Sequence, residues 1–475
     1  MFLAQQPRRG SALSKRAART IIARFAQTRS RRLGFLALLM LALGGCAYSV
    51  VHNGSVNQTK AQEIEAGIQR FRNLDFTAPV PLVLKTRDQA LEMMRKEIAR
   101  DHTEDEMRIG GLTGAMTGVY PAGMDLKSET MKLLRSQIAG FYDPHEKQMV
   151  LVEGAADASL WSSAAGLMMH RDLVGEMLLA HELTHALQDQ HFHIEQMIDQ
   201  VKNNDDRDLA LKAVAEGDAT LAGYGYVVGN LDTASIDSIV NRMDDLPQTF
   251  AAQSAEVPMG LSGPMIFQYA DGVRFVAEAY RRGGWAAVDA IYTDPPRATL
   301  QVMHPELYFE HRSHLVEIDL NGYQSVLNDW SKVDDDTYGA MLIKLIIQRN
   351  LQQNLHAAGN ADSARAVPET ALAGRWSGDR MIVLQKDHAL TILWLVAFQD
   401  DASAASFGRT YASILDEISA PDMTHKLQVK ESNVLIAIGD GARRFARLAP
   451  AIWRASVIRS AAAARAEVAK IADGR

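Results

Sequence analysis

The sequence predicts an α+β fold, mostly helical with a small sheet, followed by an additional C-terminal α/β region. Three observations predict it. The chain has 475 residues, more than one small core requires, so one large or two to three ordinary domains are expected. Hydrophobic residues make up 47% and charged residues 23%, a globular balance. Segments of strand and helix character follow in the order strand, helix, helix, strand, and then two long helices that carry the chemistry.

Each element has a local signal. Residues 47–60 are small and polar and read as a tether. Val80 to Leu84 reads as a strand. Thr86 and Gln89 form a Thr-x-x-Gln capping box, so a helix is expected from about Arg87 to Arg100. Lys127 to Ile138 has helical spacing, with Met131, Leu133, Leu134 and Ile138 on one side. Gly140-Phe141-Tyr142-Asp143-Pro144 reads as a break, and Gln148 to Val152 as a second strand. A long helix is expected from about Asp172 to Asp199. The polar break Asn203-Asn204-Asp205-Asp206 follows it, and then a helix from about Asp208 to Val228. Beyond Asn230 the chain is mostly helical, with a turn at Arg281 to Trp285 and a loop at Asp294-Pro295-Pro296. From Val326 onward the pattern changes. A helix near Asp336 to Leu351 precedes strands at Met381 to Leu384 and Thr391 to Val396, then a helix from Ala402 to Ile418. Ala461 to Lys470 is Ala-rich and reads as a surface helix. The division expected is a targeting segment at 1–45, a tether and N-terminal helix at 46–75, a catalytic unit at 76–325 and a mixed region at 326–475.

The net charge of -7 conceals a basic N-terminus. Residues 1–45 carry nine Lys or Arg and no acid, and the apolar run Leu33 to Leu43 follows this basic block. The run is too short for a comfortable membrane span, as in a secretory signal. It ends in Leu43-Gly44-Gly45-Cys46, and Cys46 is the only cysteine of the chain. This resembles a bacterial lipobox, which implies lipidation of Cys46 and a membrane anchor. Ala47 in place of an aspartate implies, by the same resemblance, the periplasmic face of the outer membrane. Ser30-Arg31-Arg32-Leu33-Gly34-Phe35 has some likeness to a twin-arginine signal, so the export route stays open. Nothing in the remaining chain is basic enough to suggest a nucleic-acid partner.

The chemistry concentrates in His181-Glu182-Leu183-Thr184-His185. Residues four apart on a helix share one face, so both imidazoles reach one tetrahedral metal ion. Glu182 lies beside that ion, placed to take a proton from water and pass it to a leaving amine. Zn2+ is the expected cofactor, because it lowers the pKa of such a water to about 7. An open catalytic zinc site has three protein ligands. Two residues compete for the third place. Glu216 opens a Glu-Gly-Asp-Ala-Thr run on a separate helix that can pack across the first. His191 lies ten residues after His181, but Gln188 stands where a glycine would be needed to turn the chain back, and Gln188 cannot take such a turn cheaply. Glu216 is preferred. Asp218 or Asp189 is available to orient a ligand histidine.

With Glu216 as third ligand the site resembles the gluzincins, the thermolysin-like group of zinc peptidases. His191 would make it resemble the metzincins. The run from His181 to Phe192 followed by Glu216-Gly217-Asp218-Ala219 is similar to a group of bacterial secreted or lipoprotein gluzincin-like peptidases. His304-Pro305-Glu306-Leu307-Tyr308 and Trp376-Ser377-Gly378-Asp379-Arg380 extend the likeness. The resemblance implies a zincin-like domain, a peptide or protein substrate, and a strand whose edge pairs with it, for which Gln148 to Val152 is the candidate. Two features depart from the gluzincin pattern. The spacing from His185 to Glu216 is longer than in thermolysin, and Thr220 stands where an aspartate that orients a ligand is usual. A donor for the developing oxyanion is also required. His304 is the first choice, with Tyr308, Tyr224 and Arg380 as others. Two further readings stay open: a catalytically weak zincin-fold lipoprotein that acts as a binding or assembly module, and an amidase acting on cell-wall peptides. Oligomeric state is not readable.

Lipidation is checked by detergent-phase partitioning. The wild-type chain is expected in the detergent phase and Cys46→Ala in the aqueous phase; equal partitioning of the two rules the anchor out.

Overall fold

The structure is a computed structural model, and it describes residues 50–52, 54–153, 172–253, 256–310, 315–357 and 371–461. Cys46, the targeting segment and most of the Ala-rich C-terminal stretch lie outside them. The fold is α+β, mostly helical with small sheets. Among the described residues no helix is long and apolar enough to cross a membrane.

The expected tether is largely structured. β1 (Val51–His52) and β2 (Ser55–Val56) form a hairpin, and α1 (Gln58–Arg72) follows, capped by Asn57. Three strands then build a small sheet: β3 (Leu82–Lys85), β4 (Gly140–Asp143) and β5 (Gln148–Val152). Between β3 and β4 run α2 (Arg87–Asp101), α3 (Glu104–Thr117) and α4 (Leu126–Gln137). The capping box at Thr86 and Gln89 is present, and a second one at Thr103 and Glu106 starts α3. The sheet order is β3-β5-β4, with β3 parallel and β4 antiparallel to β5. β5 is therefore central, so Gln148–Val152 does not have the free edge expected for a substrate, and the outer strands are β3 and β4, the latter read from sequence as a break. Gly140 and Asp143-Pro144 are turn signals, but cross-strand pairing of Phe141 with Val150 and Tyr142 with Met149 outweighs them.

Helices follow. α5 (Leu173–Phe192) is capped by Asp172 and ends at His193, which takes a left-handed conformation (φ 53°). α6 (Ile194–Asp199) is thus separate from it, although the periodicity runs through. α7 (Asp205–Val228), α8 (Thr233–Asp244), α9 (Leu246–Gln253) and α10 (Met259–Thr293) come next. The turn expected at Arg281 to Trp285 is a kink at Gly283 and Gly284 inside α10. Short helices α11 (Thr299–Met303) and α12 (Pro305–Phe309) lead to β6 (Val316–Asp319), β7 (Ser331–Asp336) and α13 (Gly339–Ala357). The remainder is β8 (Trp376–Lys386), β9 (Ala389–Phe398), α14 (Asp401–Ile418), β10 (His425–Lys430), β11 (Asn433–Gly439), α15 (Phe445–Ala455) and β12 (Val457–Ser460).

The later strands form a five-stranded antiparallel sheet, β10-β11-β9-β8-β7. Its central strands alternate in facing, as a sheet covered on both sides must. Ile392, Trp394, Val396 and Ile436 face the helices, sharing one core with Val214, Val273 and Phe275. Leu393, Leu395 and Leu435 face the other way, onto Leu448 and Ile452 of α15. The core therefore continues across residue 326. A second core joins Ile64 and Ile68 of α1, Met149 and Leu151 of β5, and Leu179 and Leu183 of α5.

Helices α7 and α10 cross at glycines. A Cβ on Gly217 would lie 2.3 Å from the Gly272 carbonyl oxygen, and one on Gly272 would lie 2.2 Å from that of Ala213. The backbones touch, and neither position has room for a methyl group. Gly272→Ala is expected to destabilise the fold by about 1–3 kcal/mol through overpacking. Gly110→Ala, within α3 and at an ordinary 3.6 Å from its nearest neighbour, is expected to stabilise it by about 0.5–1 kcal/mol through helix propensity. Urea denaturation of the two variants checks both signs.

Candidate metal centre

α5 projects His181 and His185 from one face, one turn apart, and α7 crosses it closely enough to meet them. The close approach is at Gly223, where a Cβ would lie 3.0 Å from the Met177 carbonyl oxygen. Glu216 sits on α7 two turns before Gly223 and faces both imidazoles.

The ligand atoms converge. The His181 and His185 Nε2 atoms are 3.1 Å apart. Glu216 Oε2 lies 3.2 Å from the first and 3.6 Å from the second. Among the described residues this is the group of histidines and carboxylates that could hold a metal ion. Its side chains remain 12%, 20% and 22% exposed, so the cluster is reachable from solvent.

The donor set fits a cation. Glu216 Oε2 is buried and has no hydrogen-bond donor of good geometry. The His185 ring presents its Nε2 to it, while its Nδ1 is engaged 2.9 Å away by Gln188 Oε1. Lone pairs pointing at one another are costly unless a positive charge sits among them. In their mutual field, burial raises the Glu216 carboxyl, but the facing histidines outweigh it and hold the group below the usual carboxylate range. Burial likewise lowers His185, and Glu216 outweighs it, so the imidazole is pushed up to about 9.

Glu182 lies beside the cluster and is 8% exposed. Its Oε2 accepts the backbone N–H of Tyr142 on β4 at 3.0 Å. The outer strand thus holds one carboxylate oxygen and leaves the other available. Asp189 accepts from the Tyr142 hydroxyl and from Lys147, each at 2.7 Å, so it braces β4 and not a ligand histidine. Asp218 accepts from Gln188 at 3.1 Å, and it is Gln188 that contacts His185. Thr220, at the position where an aspartate was missing, stands 3.5 Å from His181 Nδ1.

His191 is turned away: its Nε2 meets the Asp75 carbonyl oxygen at 2.7 Å. With Gln188 in place, α5 continues as a helix to Phe192 and keeps His191 off the ligand face. His304 is not brought to the cluster either. It stands at the junction of α11 and α12, 3.5 Å from Glu306, with Gly374 beside it. Tyr308 donates to the Asp294 carbonyl, Arg380 to the Asn203 carbonyl, and Tyr224 packs in the helical core.

The residue that sequence reasoning missed is Tyr269 on α10. Its ring stacks on His181, with centroids 6.1 Å apart, and it lies near enough to Glu216 to feel its charge. Burial, then the charges of Glu216 and Glu182, push the phenol well above its ordinary value of 10, so it keeps its proton. No motif surrounds it. Its one signal in the sequence was its place three residues before the Gly272 crossing point.

No protein-family model and no curated protein matches the sequence. Among solved structures the chain is similar to a crystal structure of a putative hydrolase with a novel fold from Chloroflexus aurantiacus. The two are 15% identical, the match covers 57% of this chain and 95% of that one, and the TM-score is 0.37. At that score the likeness supports no argument about chemistry.

Metal analysis separates the two third-ligand readings. Glu216→Ala is expected to weaken zinc binding by more than about 100-fold, beyond the loss typical of a change behind the ligands. His191→Ala is expected to bind as the wild type does.

Proposed function

We propose that the chain is a zinc-dependent peptidase of the bacterial cell envelope, with a zincin-like site on His181, His185 and Glu216. The observation that carries this reading is the buried Glu216 Oε2, which faces two imidazole nitrogens without a hydrogen bond of good geometry, with Glu182 held beside it. Two nitrogens and one carboxylate oxygen suit zinc better than calcium or magnesium, which take oxygen ligands. A zinc ion bound there supplies Lewis acidity toward a carbonyl and an acidified water.

The chain's own residues do the rest. Glu182 keeps one oxygen on the Tyr142 amide. The other takes a proton from water and delivers it to the leaving amine, which is general acid–base catalysis by one carboxylate. The protonated Tyr269 hydroxyl, on a ring stacked against His181 and within the field of Glu216, serves the developing oxyanion, the role first considered for His304. A peptide substrate fits the site's position beside β4, an outer strand whose Tyr142 amide is taken by Glu182, so that an extended chain would pair with the remaining groups of that edge. Lipid at Cys46 would hold the enzyme at the membrane, and the outer-membrane periplasmic face remains the proposed location.

Metal analysis and a peptide-cleavage assay test this together. Glu182→Gln is expected to retain zinc and lose roughly 10²–10⁴ in kcat. Tyr269→Phe is expected to retain zinc and lose about 10²–10³ in kcat with little change in KM. Wild-type protein without zinc would overturn the proposal, as would full cleavage by Glu182→Gln.

A further inference from the structure

A buried chain of side chains runs from His185 back to α1. Gln188 Nε2 donates to the Ala215 carbonyl at 2.9 Å and to Asp218 Oδ2 at 3.1 Å. Asp218 is fully buried and also accepts from Arg72 Nε at 2.8 Å, from Arg72 Nη2 at 3.0 Å and from the Tyr292 hydroxyl at 2.8 Å. Arg72 is itself fully buried, reaches Asp289 at 2.7 Å, and lies 4.4 Å from the Trp285 ring centroid.

These contacts have a fixed polarity. A guanidinium only donates, so Asp218 only accepts. A backbone carbonyl also only accepts. The amide end of Gln188 that faces both must therefore be its NH2 group, and the end that faces His185 must be its oxygen. An oxygen at 2.9 Å from His185 Nδ1 requires a proton on that nitrogen. In the neutral ring the lone pair is then on Nε2, the atom that faces Glu216 and His181.

We infer that Gln188 is a positioning residue that sets the tautomer of His185, and that the Arg72–Asp218 pair sets Gln188 in turn. The inference rests on the metal-site reading above. It also gives a function to the residue that replaces the metzincin glycine: a side chain at this position of a continuing helix does what a turn there could not. The usual partner of a ligand histidine is a carboxylate or carbonyl in direct contact; here the carboxylate acts through an amide that cannot take up a proton at neutral pH.

Two measurements test it. The first uses metal-free, full-length wild-type protein with 15N-labelled histidine, held at a pH above about 9 so that the His185 ring is neutral, and assigned with His185→Gln as the reference. His185 is expected as the Nδ1–H tautomer; an Nε2–H tautomer overturns the inference whether or not the protein proves to bind zinc. The second is zinc competition against a chelator. Gln188→Met, similar in size and without the amide, is expected to bind about 10–100-fold more weakly, with its His185 signal shifted to a mixture of tautomers. Zinc affinity within about twofold of wild type in that variant, against the loss expected when a ligand's partner is removed, also overturns it. Should Gln188→Met not fold, the wild-type tautomer still decides. Failure of wild-type protein to bind zinc at all, with the Nδ1–H tautomer present, would sink the peptidase reading and leave the relay standing.

Discussion

The Arg72–Asp218 ion pair is the constraint on which the site's geometry depends. Each partner has no solvent exposure, a position costly for an isolated charge. It is tolerated because nearly every polar atom is engaged. Asp218 has four hydrogen bonds, and the one guanidinium nitrogen without a hydrogen bond, Nη1, belongs to a group lying over Trp285. Removing one member of such a pair typically costs about 3–5 kcal/mol, because the other is left buried and unpaired. The pair also ties three helices at one point. Arg72 ends α1, Asp218 lies two residues past Glu216 on α7, and Asp289 and Tyr292 sit on α10 beyond its kink. Asp218 and Glu216 are thus held by opposite neighbours on one helix, and a rotation of α7 would break both sets of contacts.

Much of this was legible in the sequence alone. The spacing of His181, Glu182 and His185 defines one helical face, and the Glu-Gly-Asp-Ala-Thr run marks the second helix. Every residue of that run is used. Glu216 faces the histidines, Gly217 admits α10, Asp218 takes Arg72, Ala219 is fully buried and Thr220 approaches His181. What was not legible depends on contacts distant in sequence. Tyr269 has no local signature, and helical periodicity marks it as nothing more than part of α10. β4 carries the turn residues Gly140 and Asp143, with Pro144 after it, and its strand character comes from β5. Gln188 was read for the glycine it replaces, while its effect lies in the amide it presents. His304 beside a proline suggested chemistry, yet that pair marks the junction between two short helices.

The region after residue 326 supports the site from behind. One face of its five-stranded sheet completes the core that α7 and α10 share. The start of α13 is fixed there by buried carboxylates. Asp379 accepts the Tyr338 and Gly339 amides and the indole N–H groups of Trp376 and Trp394. Asp206, in the first turn of α7, accepts from the Thr299 amide and hydroxyl. The Trp-Ser-Gly-Asp-Arg run is therefore structural in its contacts. It helps fix the end of α7 away from Glu216, as Arg72 fixes its middle.

The N-terminal hairpin leaves little slack. Val50 is 3% exposed, its amide meets Asp172 at 3.3 Å, and its carbonyl accepts the Asn57 amide at 2.9 Å. Asp172 is also the cap of α5, the helix that bears both histidines. Val50 lies about four residues past Cys46, a reach of roughly 14 Å at full extension. An acyl chain on Cys46 would therefore act as a mooring and not as a leash. The helix bearing His181 and His185 would then ride at a set height above the lipid headgroups, and the molecules within its reach would be those that pass through that thin layer.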